Sequence, residues 1–352
     1  MRLLVITQTV DPHDSNLGFF CAWLRHLAAA MDELHVITRD LREASLPPNV
    51  HCYSLGKEQG RPRWQRLRRF HQLAAQLIVD DRPDAIFAHM CPEYVVAAAP
   101  YARRHGAPVV WWYTHRQMTW QVRLAERLAT RIVTAVADSF PLTSAKVTVV
   151  GHGIDTEAFQ PTRNGTSLPT DGPMMLLAAG RPSAVKRWDL LLQALAMLVH
   201  QQGRRDMRLA IAGCRREDLS LLIRRTRLEP YVHCLGAVPH DQMPARYQQA
   251  DLVVNASPPG LFDKVVLEGL ACGVPVVACN RAYAPLLGHE ADHFLCPSSD
   301  PQALAAVMAR ALDYLDRHPR DVEQWRAAVV RHHSIGRLAE RFATVLRGVT
   351  EP

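Results

Sequence analysis

The sequence of 352 residues has no long apolar run. Its longest runs, residues 109–113 and 274–279, have the length of a strand and fall far short of the ~20 apolar residues of a membrane-spanning helix. The first residues contain one arginine and turn polar after a few positions, so we interpret them as a buried first strand rather than a signal peptide. We therefore expect a globular protein.

The eight cysteines include no Cys-x-x-Cys pair and no His-Cys cluster at the spacing of metal ligands. Several of them, such as Cys52, Cys234 and Cys279, lie in apolar, strand-like contexts, which predicts reduced, buried thiols in a cytoplasmic protein. The 17 histidines are dispersed, and we expect His240 at the surface. The sequence thus predicts no metal site.

The first half of the chain alternates short apolar runs with longer helical patterns. Continuous apolar strands separated by helices are typical of a parallel sheet that is covered on both faces. The predicted strands are residues 3–7, 34–38, 50–54, 85–88, 109–113, 132–135 and 146–150, and the predicted helices are residues 19–31, 66–80, 92–104 and 120–130.

The alternation stops at residues 160–173, a stretch rich in Pro, Thr, Asn, Gly and Ser that predicts a linker, and then restarts. We expect two doubly wound α/β domains, residues 1–165 and 166–352, with a ligand cleft between them at the carboxyl ends of the strands. The last helix, residues 335–347, could pack on either domain. The second half has predicted strands 174–179, 208–212, 232–235, 252–255 and 274–278 and predicted helices 187–201, 217–227, 242–249, 264–272 and 301–316.

Residues 179–187 join a buried strand to a helix in the second half. Gly180 ends the strand, and the loop presents Arg181 and Lys186 at the edge of the sheet. Two cations at this place suit a diphosphate, because arginine can bind two oxygens at once and lysine acts as a point charge. The alternative is an ordinary basic loop.

A Pro-Pro-Gly loop follows the predicted strand that ends at Asn255, and a helix begins near Asp263. The N–H groups and dipole of this helix start favour a phosphate. Glu268 lies further inside the helix among apolar neighbours. A carboxylate in such surroundings needs hydrogen-bond donors, and the two hydroxyls of a ribose could provide them. The alternative for Glu268 is a surface salt bridge.

Three segments then carry a resemblance: Gly-Arg-x(4)-Lys, Asp-Leu-Val-Val-Asn-Ala-Ser and Leu-Glu-Gly-Leu-Ala-Cys-Gly-Val-Pro-Val-Val-Ala. In this order and spacing they resemble the retaining glycosyltransferases of family four, which have the GT-B architecture of two Rossmann-like domains. The resemblance implies that Arg181 and Lys186 hold the donor diphosphate and that Glu268 binds the nucleotide ribose. The donor-binding residues it implies are Gly18, Gly180, Arg181, Lys186, Gly260, Leu261, Phe262, Asp263, Lys264 and Glu268.

The chain departs from the family at the sugar end of the donor. The family commonly has a second glutamate eight positions before the first, and this chain has Gly260 there, followed by Asp263 and Lys264. The family's glycine-rich turn in this domain is reduced to residues 213–215, which follow the predicted strand 208–212.

In the first domain, Gly18 occupies the place of the family's glycine-containing loop after the first strand. His115, just past a buried strand, resembles the family's active-site histidine near the donor sugar. His89 ends the preceding strand, and His152 lies in a turn, residues 151–155, that resembles the family's interdomain turn. Lone histidines are more often structural, so His89 and His152 are candidates for the cleft only.

The resemblance implies transfer of a hexose-type sugar from a nucleoside diphosphate to an acceptor hydroxyl, with retention and without a cofactor or metal ion. We take His115, Arg181 and Lys186 as the catalytic residues. The acceptor is a sugar, a lipid-linked molecule or a small molecule. Two alternatives are a GT-B sugar-nucleotide epimerase and a non-catalytic subunit that binds a nucleotide sugar.

The net charge of +7 favours an anionic partner, and residues 61–70 hold five arginines beside Trp64, Leu67 and Phe70. This pattern is typical of a helix on a membrane surface, which would place a cytoplasmic protein at the inner membrane face. It also fits a solvated helix whose apolar stripe packs on its own domain, which is the interpretation we favour. No motif for nucleic acid accompanies the charge.

Overall fold

The computed structural model describes residues 1–162, 172–315, 317 and 321–350. It divides the chain into two compact units, the first formed by Met1–Gly153 with Ile335–Pro352 and the second by Ile154–Ser334. The predicted boundary at residue 165 and most of the predicted linker, residues 163–171, lie outside the described residues.

The first unit contains a parallel sheet with the strand order β3-β2-β1-β4-β5-β6-β7. Each predicted strand and helix of this half is present, with bounds that differ by a few residues. In chain order the elements are β1 Arg2–Val10, α1 Phe19–Ala28, β2 Glu33–Leu41, β3 Val50–Ser54, α2 Arg63–Ala75, β4 Ala85–His89, α3 Pro92–His105, β5 Val109–Trp112, α4 Trp120–Leu128, β6 Arg131–Thr134 and β7 Val147–Val149.

The second unit contains a parallel sheet with the strand order β10-β9-β8-β11-β12. All of its strands were predicted. Of the helices between residues 284 and 333, only the one predicted at residues 301–316 was foreseen. The elements are β8 Met174–Ala179, α5 Trp188–Ala196, β9 Met207–Ala212, α6 Arg216–Thr226, β10 Val232–Gly236, α7 Met243–Gln248, β11 Leu252–Asn255, α8 Lys264–Ala271, β12 Val276–Ala278, α9 Ala284–Leu287, α10 Ala291–Phe294, α11 Pro301–Leu315 and α12 Asp321–His333.

The last helix, α13 (Ile335–Thr350), belongs to the first unit. It packs against α1, and the ring of Phe342 lies 4.4 Å from that of Phe87 on β4. The sequence left two placements open for this helix, and its amphipathic pattern explains the outcome, because its apolar side completes the cover of the first sheet.

Both sheets are buried on two faces, as continuous apolar strands require. On β1 the side chains of Leu3, Leu4, Val5 and Ile6 are all fully buried. Because parallel strands end at one edge of a sheet, the loops after β8, β9, β11 and β12 share one edge of the second unit. Among the described residues, the helices are all too short or too polar to cross a membrane.

Candidate nucleotide-binding site

The loop after β8 brings Lys186 across Gly180. Gly180 donates its N–H to the carbonyl of Ala212 on β9, at 2.9 Å, which fixes the start of the loop. A Cβ atom at Gly180 would lie 2.6 Å from Cε of Lys186. The absence of a side chain at residue 180 therefore makes room for the lysine to lie along the edge of the sheet.

Lys186 ends in an ion pair with Asp263, the residue that precedes α8. Its Nζ donates to Asp263 Oδ2 at 2.8 Å, and Asn255 Nδ2 donates to the same oxygen at 3.0 Å. Burial raises the pKa of the Asp263 carboxyl, but Lys186 and hydrogen bonds from Lys186, Ser257 and Asn255 outweigh it and hold the pKa below its usual value. The Asp263 carboxyl is therefore ionised at neutral pH.

An ammonium group has three N–H donors, so the bond to Asp263 leaves two for oxygens of a ligand. The exposed fractions of the two side chains are 18% for Lys186 and 21% for Asp263, which leaves the pair within reach of solvent. Arg181 lies in the same loop with an exposed side chain, and its carbonyl accepts the indole N–H of Trp188 at 3.1 Å. This bond fixes the backbone at Arg181 and leaves its guanidinium available.

Two side chains from the segment after β12 form hydrogen bonds to the backbone of the loop between β11 and α8. Asn280 Nδ2 donates to the carbonyl of Leu261 at 2.9 Å, and the Tyr283 hydroxyl donates to the carbonyl of Asp263 at 3.1 Å. The ring of Tyr283 stacks on Phe262, whose side chain is only 5% exposed. Phe262 thus shapes the loop from inside, while Gly260 allows the turn with its φ of +88°.

Glu268 is buried on α8, with an exposed fraction of 7%. Its Oε2 accepts the hydroxyl of the fully buried Tyr247 at 2.8 Å, so the surface salt bridge considered above is wrong. Burial and the neighbouring carboxylate raise the pKa of Tyr247 well above its usual value. A carboxylate can accept about four hydrogen bonds, so the bond from Tyr247 leaves capacity for a diol.

Two basic groups lie near Glu268. Burial lowers the pKa of the Lys264 ammonium well below its usual value, and Glu268 opposes this shift. His240 was expected at the surface, but it is half-buried with its ring 5.3 Å from that of Phe159, and burial lowers its pKa. The sequence analysis gave no role to Tyr247, Asn255 or Tyr283. For Asn255 a signal was available, because it is a polar residue at the end of a buried strand.

Gly213, after β9, lies against the backbone of Gly180. Its φ is +97°, and a Cβ atom there would lie 2.5 Å from the carbonyl oxygen of Gly180. The Cys214 thiol also donates to this oxygen, at 3.4 Å. The shortened turn of residues 213–215 therefore supports the loop that carries Lys186.

We expect Gly213→Ala to destabilise the protein more than Gly203→Ala does. Both glycines have positive φ, which costs about 1–2 kcal/mol for alanine, but Gly203 has open space around its Cβ position. At Gly213 the backbone must shift as well, at a cost of about 1–3 kcal/mol. Thermal unfolding of the two variants measures the difference, and equal losses would contradict the close contact.

In the first unit, His89 and His152 share one aromatic cluster. His89 is 1% exposed, its Nδ1 lies 3.0 Å from Thr7 Oγ1, and its ring stacks on Phe20 at 4.1 Å. Trp23 and Trp112 pack edge to face at 4.8 Å between the two histidines. These contacts are those of core histidines at the edge of a sheet.

His115 lies apart from this cluster, in the exposed segment between β5 and α4. Its Nδ1 accepts the N–H of Gln117 at 3.0 Å, which turns the segment back on itself. Gly18 begins α1 in a helical conformation, directly before the phenylalanines that contact His89. The structure therefore brings Gly18, His89 and His152 to one region of the first unit and leaves His115 on an exposed loop.

Within the described residues, no group of three or more His, Cys, Asp or Glu side chains is placed to hold a metal ion. The second unit is a Rossmann-like domain with a cationic loop and a buried carboxylate at the carboxyl edge of its sheet. This combination is equipped to bind a nucleotide.

Comparison with known proteins finds a family model that matches the second unit. Residues 173–314 match the family described as Glycosyl transferases group 1. The matched residues include all three motifs of the second unit.

The chain is similar to several D-inositol 3-phosphate glycosyltransferases. It is 29% identical to that of Thermobispora bispora over 253 residues, which are 65% of this chain and 58% of the relative. It is 33% identical to that of Kineococcus radiotolerans over 200 residues, which are 50% of this chain and 46% of the relative. The chain thus spans about half the length of these relatives.

Two solved structures resemble the fold over 99% of both chains. Anabaena HepE, solved in complex with UDP and glucose, gives a TM-score of 0.75 at 18% identity. Sucrose-phosphate synthase from Thermosynechococcus elongatus gives a TM-score of 0.80 at 16% identity. These likenesses show the fold, and the predicted GT-B class is confirmed.

Proposed function

We propose that this protein is a retaining glycosyltransferase that moves a hexose-type sugar from a nucleoside diphosphate to an acceptor hydroxyl. The observation that carries the proposal is the Lys186–Asp263 pair at 2.8 Å, with Arg181 in the loop that carries Lys186 and the buried Glu268 five residues after Asp263. The similarity to inositol phosphate glycosyltransferases supports the reaction class. The similarity to a protein solved with UDP and glucose supports a nucleotide-sugar donor.

In the proposed site, the diphosphate lies between Arg181 and Lys186, and the ribose lies against Glu268. The N–H groups at the start of α8, an eight-residue helix, add partial positive charge at the phosphates. Gly260, Leu261 and Lys264 line the donor from the same loop and helix start. Asp263 then acts on the lysine rather than on the phosphate, because a carboxylate repels an anion.

We propose a front-face mechanism for the transfer. The acceptor oxygen bonds to the anomeric carbon on the face from which the diphosphate departs, as the bond from that carbon to the phosphate oxygen breaks. The acceptor proton passes to the departing phosphate oxygen, so the leaving group serves as the base. Arg181 and Lys186 stabilise the negative charge that develops there, and two fixed cations make a metal ion unnecessary.

The acceptor side belongs to the first unit in this proposal. His115 would lie near the donor sugar, and the buried His89 and His152 would support the neighbouring loop that carries Gly18. The acceptor is a sugar, a lipid-linked molecule or a small molecule, and the protein is cytoplasmic with peripheral contact to a membrane. Eight free cysteines support a reducing compartment.

Turnover of radiolabelled nucleotide sugars, with and without acceptors, tests this function. We expect label to move to an acceptor, and equally so in the presence of a chelator. A nucleoside diphosphate at about a hundred times its Kd should stabilise the protein by about 2.7 kcal/mol in thermal unfolding. Interconversion of the donor without transfer would indicate an epimerase, and binding without any reaction would indicate a non-catalytic subunit.

A further inference from the structure

Helix α2 has two different faces. Phe70, Leu73 and Ala74 point inwards and are buried in the core of the first unit. Trp64 and Leu67 point outwards, with exposed fractions of 64% and 54%. Of the three large apolar side chains in residues 61–70, only Phe70 therefore packs on its own domain as expected, and Trp64 and Leu67 are exposed to water on the outer face.

Exposed arginines accompany these two side chains on α2. Residues 3 and 4 apart share one face of a helix, so Arg68 lies on the same face as Trp64. Arg63 and Arg68 are both exposed. Residues 61–72 hold five arginines and no acidic residue. An exposed apolar pair flanked by exposed arginines is the pattern of an interfacial helix.

A second group of the same kind begins α4. Trp120 is 68% exposed and Met118 is 36% exposed, with Arg116 and Arg123 exposed on either side. Residues 113–127 hold three arginines and one acidic residue. Four of the eight large apolar side chains exposed among the described residues thus lie at the starts of α2 and α4.

The two groups lie on one edge of the first unit. The sheet is parallel, α2 connects β3 to β4, and α4 connects β5 to β6, so both helices begin where the strands end. Helix α3 packs between them and contacts both. Residues 61–72 and 113–127 together hold eight basic residues and one acidic residue, an excess of seven. The whole chain has a net charge of +7, so the excess is concentrated at this edge.

We propose that this edge, made of residues 61–72 and 113–127, binds the surface of an anionic lipid bilayer. The indoles of Trp64 and Trp120 would lie at the level of the headgroups, where amphipathic rings are favoured. The arginines would bind lipid phosphates, which they match with paired N–H donors. Leu67 and Met118 explain the choice of a bilayer over a nucleic acid, because neither side chain gains from stacking on bases.

The same strand ends carry Gly18, His89 and His115, which follow or end β1, β4 and β5. A bilayer at this edge would therefore present an acceptor to the loops that were assigned to acceptor binding. This step rests on the proposed function and favours a lipid or lipid-linked acceptor among the three classes. The membrane contact itself rests on the surface of the first unit alone.

Flotation with vesicles of phosphatidylcholine, with and without phosphatidylglycerol, tests the contact in the absence of any donor. We expect binding that requires phosphatidylglycerol and weakens as salt rises. Replacing Arg63 and Arg68 with glutamine should weaken binding about 30-fold, since each arginine near an anionic surface contributes about 1 kcal/mol. Trp64→Ser with Trp120→Ser should also weaken it, and unfolding temperatures check the fold of each variant.

Helix α6 provides the matched controls. Arg224→Gln with Arg225→Gln removes two exposed arginines, and Leu221→Ser removes a side chain that is 64% exposed. These variants should bind vesicles as the original protein does. The proposal would be overturned if the α6 variants lost as much vesicle binding as the variants of residues 61–72 and 113–127, or if neutral vesicles bound equally well. It would also be overturned if a single-stranded oligonucleotide displaced the vesicles and replacing the two tryptophans left vesicle binding unchanged. A protein that binds vesicles but fails to transfer sugar would contradict the proposed function only.

Discussion

Replacing Lys186 with alanine is expected to lower the turnover number about 10²–10³-fold, the loss seen when one donor to a developing oxyanion is removed. Lys186 lies across Gly180 and is held at 2.8 Å from Asp263, so its charge is positioned before the donor arrives. The loss should appear mainly in kcat, because the negative charge on the leaving diphosphate grows in the transition state. Initial rates at saturating donor measure it.

Two further variants separate catalysis from stability. Lys186→Ala also leaves the Asp263 carboxylate without its cation, so Lys186→Met combined with Asp263→Asn removes both charges together. This double variant should recover stability but not turnover. Arg337→Ala breaks an exposed ion pair that is also 2.8 Å long, with Glu340, and should change neither. If Lys186→Ala kept a turnover number close to that of the original protein, the assignment of this lysine to the diphosphate site would be wrong.

Replacing Glu268 with alanine is expected to weaken the binding of nucleoside diphosphates about 10–100-fold, since a hydrogen bond to a charged group contributes about 1.5–3 kcal/mol. The buried carboxylate accepts a hydrogen bond from Tyr247, and acceptor capacity beyond this bond suits two adjacent hydroxyls. Calorimetry with ribose and 2′-deoxyribose nucleotides measures the effect. The original protein should prefer the ribose form, and Glu268→Ala should bind the two forms alike.

Tyr247→Phe distinguishes this role from a purely structural one. It keeps the buried ring and removes the hydroxyl that donates to Glu268 Oε2. If Glu268 serves only to pair with Tyr247, then Tyr247→Phe and Glu268→Ala should lower stability alike, and neither should alter the preference for ribose. That result would contradict the assignment of Glu268 to the donor.

The sequence predicted the sheets well because their strands are buried on both faces. Runs such as residues 85–88 and 252–254 are apolar throughout, and only a covered strand explains them. The short helices of residues 284–294 were missed because they have too few turns to show a helical period. Helix α12 was missed because its apolar pattern is weak; its Trp325 is nevertheless 1% exposed.

Site residues could be predicted where the local sequence at one strand end is enough to assign them. Contacts between segments that are distant in the sequence could not be predicted in this way. Gly180, Lys186 and Glu268 follow from their own loops and helix. The bond from Tyr247 to Glu268 spans 21 residues, and the bond from Lys186 to Asp263 spans 77. Such pairs depend on strand order, which a single sequence does not specify. Helix α2 is a second example. The periodicity of its sequence predicts which residues share a face, but it does not predict which part of the protein, if any, covers that face.

The first unit is made of two separate stretches of chain, Met1–Gly153 and Ile335–Pro352, with the second unit inserted between them. A ribosome therefore delivers the whole of the second unit before the helix that carries Phe342 reaches Phe87. The second unit can complete its fold during synthesis, whereas the first waits for its final helix. A recombinant fragment ending at Gly153 would expose the α1 side of its sheet, so a separately expressed first unit needs residues 335–350 fused back to it.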